Sequence, residues 1–141
     1  RKSGLVDGKE ICRKGFLVKD YFGAPQANTF RKSAVQKIGG FDTYFTYILD
    51  YDLFVSLACL GDVYIIHESL NYFRVRKESN TGAVMGEDKK KTKIYVDEHR
   101  HLLMKNKDIL NMSDAYINLS VLIRKFRCFA ASIYLKVFVH K

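Results

Sequence analysis

Asp50 and Asp52 flank a tyrosine in Asp50-Tyr51-Asp52. Two carboxylates one residue apart invite a cation, because hard metal ions take carboxylate oxygens. The same residues open an apolar run, Leu53, Phe54, Leu57, Ala58 and Leu60, that closes at Gly61. In that setting Asp50 is equally a helix N-cap, worth about 1 kcal/mol, and Asp52 a first-turn residue at the positive end of the macrodipole. Other groups able to do chemistry are less well spaced for it. Cys12, Cys59 and Cys128 are far apart and odd in number, so they read as reduced structural thiols rather than a zinc set. His99 and His101 stand two apart on a predicted helix. They miss the four-residue spacing of helical zinc sites and read as surface residues.

The elements that must position these carboxylates carry their own signals. Ser33-Ala34-Val35-Gln36 has the spacing of a capping box and predicts a short helix to Ile38. Gly39 suits the left-handed position that ends it. Residues 1–27 hold short apolar pieces broken by charges and read as strand or loop rather than helix. Residues 63–67 and 70–75 are β-branched and aromatic, which predicts two short strands as a β-ribbon. A long charged helix is expected from Glu87 to Leu110, and Ser113-Asp114 starts a last one. On a helical wheel Leu119, Leu122, Ile123, Phe126, Phe129, Ala130, Ile133 and Val137 fall in one sector of about 120°, with Arg124, Lys125, Arg127 and Lys136 outside it. The charge-free runs are too short to span a bilayer. Such a helix docks on protein or lies flat on an anionic membrane surface.

Composition bounds the class. The chain has 141 residues, 48% hydrophobic, with a single proline and no linker-like tract, which is enough for one ordinary core. A net charge of +9 draws phosphates, nucleic acid or an anionic membrane without choosing among them. Free thiols suit a reducing, cytoplasmic setting. The abrupt start at Arg1-Lys2-Ser3-Gly4 is expected of a piece of a longer protein.

Taken in order, the basic turn at Arg31-Lys32, the capped helix, Gly39-Gly40-Phe41-Asp42, Asp50-Tyr51-Asp52-Leu53, the ribbon and Tyr72-Phe73-Arg74-Val75-Arg76 resemble the C-terminal part of family 2 glycosyltransferase catalytic domains. The likeness covers roughly residues 15 to 85. It implies an α/β fold, a partial GT-A architecture of short helices with a small mixed sheet or β-ribbon, followed by C-terminal helices. Residues 1–86 would be the acceptor-side half and 87–141 a helical extension. Asp50-Tyr51-Asp52 then matches the acceptor-side Glu-Asp-x-Asp-Leu signature, with Leu49 in place of Glu, rather than the metal-holding Asp-x-Asp.

By that resemblance Asp50 is the general base that deprotonates the acceptor hydroxyl, with inversion at the sugar. Gly39, Gly40, Phe41, Tyr51 and Asp52 contact the acceptor. Arg74 and Arg76 meet phosphate, Arg76 standing where the family has His, so a guanidinium fork replaces a metal ligand. The nucleotide-sugar donor, the Mg²⁺ or Mn²⁺ and their ligands belong to a preceding half. No metal is expected on this segment, and alone it is expected to be inactive. The acceptor would be a carbohydrate or lipid-linked glycan, and the location cytoplasmic or peripheral on the inner membrane face. The alternative is a small basic α/β module for single-stranded nucleic acid or a membrane surface, with its tyrosines and phenylalanines as stacking platforms. No nucleic-acid recognition signature accompanies them, so nucleic acid is the less favoured partner.

Overall fold

The computed structural model describes residues 2–72 and 88–134. They form two compact units, residues 2–72 with Asn106–Asn111, and residues 88–105 with 112–134. The expected boundary at residues 86–87 lies outside the described residues.

In the first unit, strand β1 (Gly4–Val6) leads into helix α1 (Gly8–Leu17). A 3-10 turn (Pro25–Ala27), helix α2 (Lys32–Ile38), helix α3 (Leu49–Ala58) and strand β2 (Val63–Ile65) follow. α1 corrects the expectation of strand or loop over residues 1–27. Its signal is local: the Asp7 side chain caps the helix by accepting the Glu10 N–H at 2.7 Å, a capping arrangement with a carboxylate three residues on. Ile11, Cys12, Gly15 and Phe16 recur at helical spacing and are buried. Lys14 pairs with Glu10 one turn back.

β1 pairs with β2 in an antiparallel ladder, Gly4 opposite Ile65, Leu5 opposite Tyr64 and Val6 opposite Val63. Among the described residues the partner of 63–65 comes from the start of the chain rather than from Leu70, Asn71 or Tyr72 of the expected ribbon. Leu70, Asn71 and Tyr72 are not strand, and 73–75 lie outside the described residues. Among the described residues the small mixed sheet is thus two antiparallel strands. The fold they establish is mainly helical α/β and no more specific than that.

α3 is the centre of this unit, with α1 and α2 both packed on it. Phe16 of α1 meets Tyr51 edge-on at 6.2 Å between ring centroids, and Phe22 bridges Tyr51 and Phe54 at 6.0 and 5.9 Å. Such aromatic pairs add to simple burial. The Cys12 thiol lies 4.0 Å from the Val55 carbonyl. α1 enters this packing at Gly8, where a Cβ would stand 2.0 Å from the Ala58 carbonyl oxygen and 2.1 Å from that of Gly61. Only a residue without a side chain lets the two backbones approach so closely. Asn28 braces the segment ahead of α2, its amide donating to the carbonyls of Phe22 and Ala24 at 2.9 and 3.0 Å.

The second unit is a helix pair, α4 (Lys89–Lys105) and α5 (Asp114–Tyr134). Asp88 accepts the N–H groups of Lys90 and Lys91 at the start of α4. α4 stops at Lys105 rather than Leu110. Residues 106–111 turn instead, with Asn111 at φ 48°, a left-handed position that asparagine tolerates. Ser113 caps α5, accepting the Tyr116 N–H at 3.2 Å, as its position in the sequence implies. Between the helices Arg124 donates to the Tyr95 hydroxyl at 2.8 Å, and Val96, Leu102, Leu103, Ile117, Val121 and Cys128 are buried.

The Gly8 contact yields a direct test. Gly8→Ala forces a methyl against two backbone carbonyls that cannot rotate away, and should destabilise the chain by about 1–3 kcal/mol. Gly61→Ala, whose Cβ meets nothing within 4 Å, should cost far less. Urea denaturation followed by circular dichroism compares them, and equal midpoints would refute the close-approach argument.

Candidate functional site

The segment from Arg31 to Asp52 carries most of the residues expected to act, and its helix α2 packs on α3. α2 starts at Lys32, with Arg31 at its N-cap and no side-chain cap bond, so the capping box anticipated at Ser33 and Gln36 does not form. Its end follows expectation. Gly39 and Gly40 both take positive φ, 81° and 83°, the Gly39 N–H bonding back to Gln36 O and the Gly40 N–H to Val35 O. This 5→2 and 6→1 pair is a Schellman closure. It throws Phe41 outward, 56% exposed. Asp42 then turns the chain by accepting the Tyr44 N–H at 3.0 Å. Tyr44 is also exposed and packs edge-on against the buried Phe45 at 5.3 Å.

α3 begins at Leu49 with Ile48 at its N-cap, two residues earlier than an Asp50 cap requires. Asp50 therefore sits inside the first turn, half-buried, with its carboxylate accepting the Tyr51 N–H at 2.8 Å. Asp52 and Tyr51 belong to the core instead, 2% and 8% exposed. Of the residues expected to meet an acceptor, Gly39 and Phe41 are exposed and Gly40 and Asp50 half-buried. The structure places the side chains of Tyr51 and Asp52 in the interior. Arg74 and Arg76 lie outside the described residues. Leu60, expected on the buried side of α3, is exposed.

The Asp50 and Asp52 carboxylates do not converge on one cation. Two residues apart on a helix they point about 200° apart, and one of them is buried. No group of three or more His, Cys, Asp or Glu side chains comes together for a metal among the described residues.

Two further sets of titratable groups are buried. Cys12 and Cys59 interact through their thiols, and Cys59 also donates to the Asn106 amide oxygen at 3.8 Å. The hydrogen bond with Cys59, and then burial, push the Cys12 thiol well up, so it stays protonated and inert. His99 corrects its surface assignment. It is 1% exposed, with Nε2 3.0 Å from the Ser120 hydroxyl across α4 and α5. Burial, and then the charges of Arg124 and Arg127, pull its pKa down to about 3. Sequence periodicity held the signal, since His99 lies on the stripe of Val96, Leu102 and Leu103 that α4 buries.

No family model matches the chain, and no curated protein or solved structure matches it either.

His99 makes stability depend on pH with a defined sign. The unfolded chain takes up a proton near pH 6.5 and the folded one only near 3. The stability it contributes is complete above 6.5 and is lost as pH falls, at about 1.4 kcal/mol per pH unit. Between pH 7 and pH 5 the free energy of unfolding should drop by about 2 kcal/mol. His99→Gln should abolish that slope in urea titrations read by circular dichroism, and an unchanged slope would show that another group is responsible.

Proposed function

We propose that this chain is the acceptor-side part of an inverting, nucleotide-sugar-dependent glycosyltransferase of the GT-A type, with Asp50 as the general base. The observation that carries the reading is the placement of Asp50. Its carboxylate is half-buried in the first turn of a helix that two others grip, on the segment that carries the Schellman turn and the exposed rings of Phe41 and Tyr44. A base needs a fixed backbone and a partly accessible oxygen within hydrogen-bond reach of the hydroxyl it deprotonates. Exposed aromatic faces such as Phe41 and Tyr44 suit the apolar faces of a sugar ring.

In the proposed reaction Asp50 takes the proton of an acceptor hydroxyl as that oxygen attacks the anomeric carbon. The bond to the nucleoside diphosphate breaks on the opposite side. Arg74 and Arg76 are the candidates to meet the departing phosphates, by virtue of their guanidinium chemistry. Mg²⁺ or Mn²⁺ and the nucleotide would be held by a donor-binding half, since Asp50 and Asp52 do not fit a shared cation. The outward-facing pair Leu5 and Tyr64 on the ladder, both exposed, is the kind of apolar sheet surface such a half would cover.

The binding-module alternative finds less support. Phe16, Phe22, Phe45, Tyr51 and Phe54 are buried and so are not stacking platforms for single strands, and no nucleic-acid recognition signature accompanies the exposed rings.

The test uses the longest natural polypeptide that contains this sequence, assayed for transfer from a panel of nucleotide sugars. Asp50→Asn should lower kcat by about 10²–10⁴-fold while leaving the circular dichroism spectrum unchanged. A variant as active as its parent would remove Asp50 from the mechanism, and an intact polypeptide inert toward every donor would remove the glycosyltransferase reading itself.

A further inference from the structure

α5 presents a face that its packing leaves outside. Toward α4 it uses Ile117, Ser120, Val121 and Cys128, all buried, with Arg124 held by the Tyr95 hydroxyl. On the other side Leu119, Leu122, Phe126, Phe129 and Ile133 recur at three- and four-residue steps, and every one is exposed. At 100° per residue they fall within about 80° of one another. The wide apolar sector legible in the sequence is thus the outer face of the helix, not its docking face.

Three kinds of occupant could cover such a stripe. A second copy would bring together two helices whose apolar stripes are each bordered by Lys125 and Arg127, with no carboxylate on α5 past Asp114 to offset them. Like charges at that density oppose self-pairing. A coiled-coil partner is poorly matched by phenylalanine at both central positions, where aliphatic knobs are preferred. An anionic lipid surface fits both features. Leu and Phe side chains enter the boundary between headgroups and acyl chains, while basic residues at the edges meet lipid phosphates. Lys125 and Arg127 flank the stripe on its two sides. No helix among the described residues is long and apolar enough to cross a membrane.

We infer that α5 is a membrane-surface helix that binds anionic bilayers through Leu119, Leu122, Phe126, Phe129 and Ile133, with its basic residues on lipid headgroups. The inference is independent of the transferase reading, because it uses no residue of the first unit.

The experiment is flotation of the full chain with phosphatidylcholine vesicles, with and without about 30% phosphatidylglycerol. Binding is expected to the anionic vesicles and to weaken as NaCl is raised from about 0.05 to 0.5 M. Phe126→Ser with Phe129→Ser, at positions 68% and 63% exposed, should reduce partitioning about tenfold or more with helicity intact. The chain contains no tryptophan, so Phe126→Trp supplies a second readout. Its emission should shift to the blue on adding anionic vesicles and stay put with neutral ones. Equal binding to neutral and anionic vesicles would overturn the charge argument. No binding to either, or a dimer in sedimentation equilibrium that the double serine variant dissociates, would overturn the membrane assignment and hand the stripe to a protein partner.

Discussion

The approach of α1 to the end of α3 is the constraint on which the first unit rests. With Gly8 set against the carbonyls of Ala58 and Gly61, the axis of α1 is fixed at its first turn. Phe16, one turn past Cys12, then reaches Tyr51. The same approach sets the chain entering from β1 near the chain leaving toward β2, which is why two strands so distant in sequence are adjacent. A methyl-sized gap between backbones decides the topology more than any individual side-chain contact does.

That grip has a bearing on the chemistry. Asp50 is at the opposite end of α3 from the Gly8 contact, and a helix held along its length by α1 and α2 has little freedom at its first turn. At that turn the Asp50 carboxylate is held by the N–H of Tyr51. Asp52 shows the other possibility two residues on, a carboxylate drawn into the interior. The two units also differ in the way they are held. The first relies on aromatic rings around α3, the second on polar contacts across a helix pair, His99 with Ser120 and Arg124 with Tyr95. Polar contacts of this kind specify register, because a half-turn slip would leave a buried imidazole facing apolar side chains.

Local rules carried the readable part of the sequence. Gly39 and Gly40 ended α2 as glycines in the left-handed region should, α3 began two residues from the expected place, and Ser113 capped α5. Tertiary choices were the illegible part. α1 escaped notice because Gly8 and Gly15 look like breakers, although one serves close approach and the other lies 3.2 Å, as a Cβ, from the Tyr51 hydroxyl. Strand pairing between residues 4–6 and 63–65 has no local signature at all. The amphipathic pattern of α5 identified an apolar face correctly, but periodicity cannot say whether a face is turned toward the protein or away from it. Asp50 was legible as a functional candidate through the order of motifs around it. The interior position of Asp52 was not, since a carboxylate is rarely the residue a helix buries.

The ladder between β1 and β2 spans three residue pairs yet closes a loop of about 60 residues. Closing a loop of that length costs roughly 3–4 kcal/mol of chain entropy, more than a two-stranded ladder that short returns by itself. The strands are therefore a late acquisition in folding, formed after α1, α2 and α3 have drawn their ends together. By the same reasoning they are the first element to open when the helical core loosens. Whatever binds the outward side chains of Leu5 and Tyr64 thus reports on, and reinforces, the packing of helices it never touches.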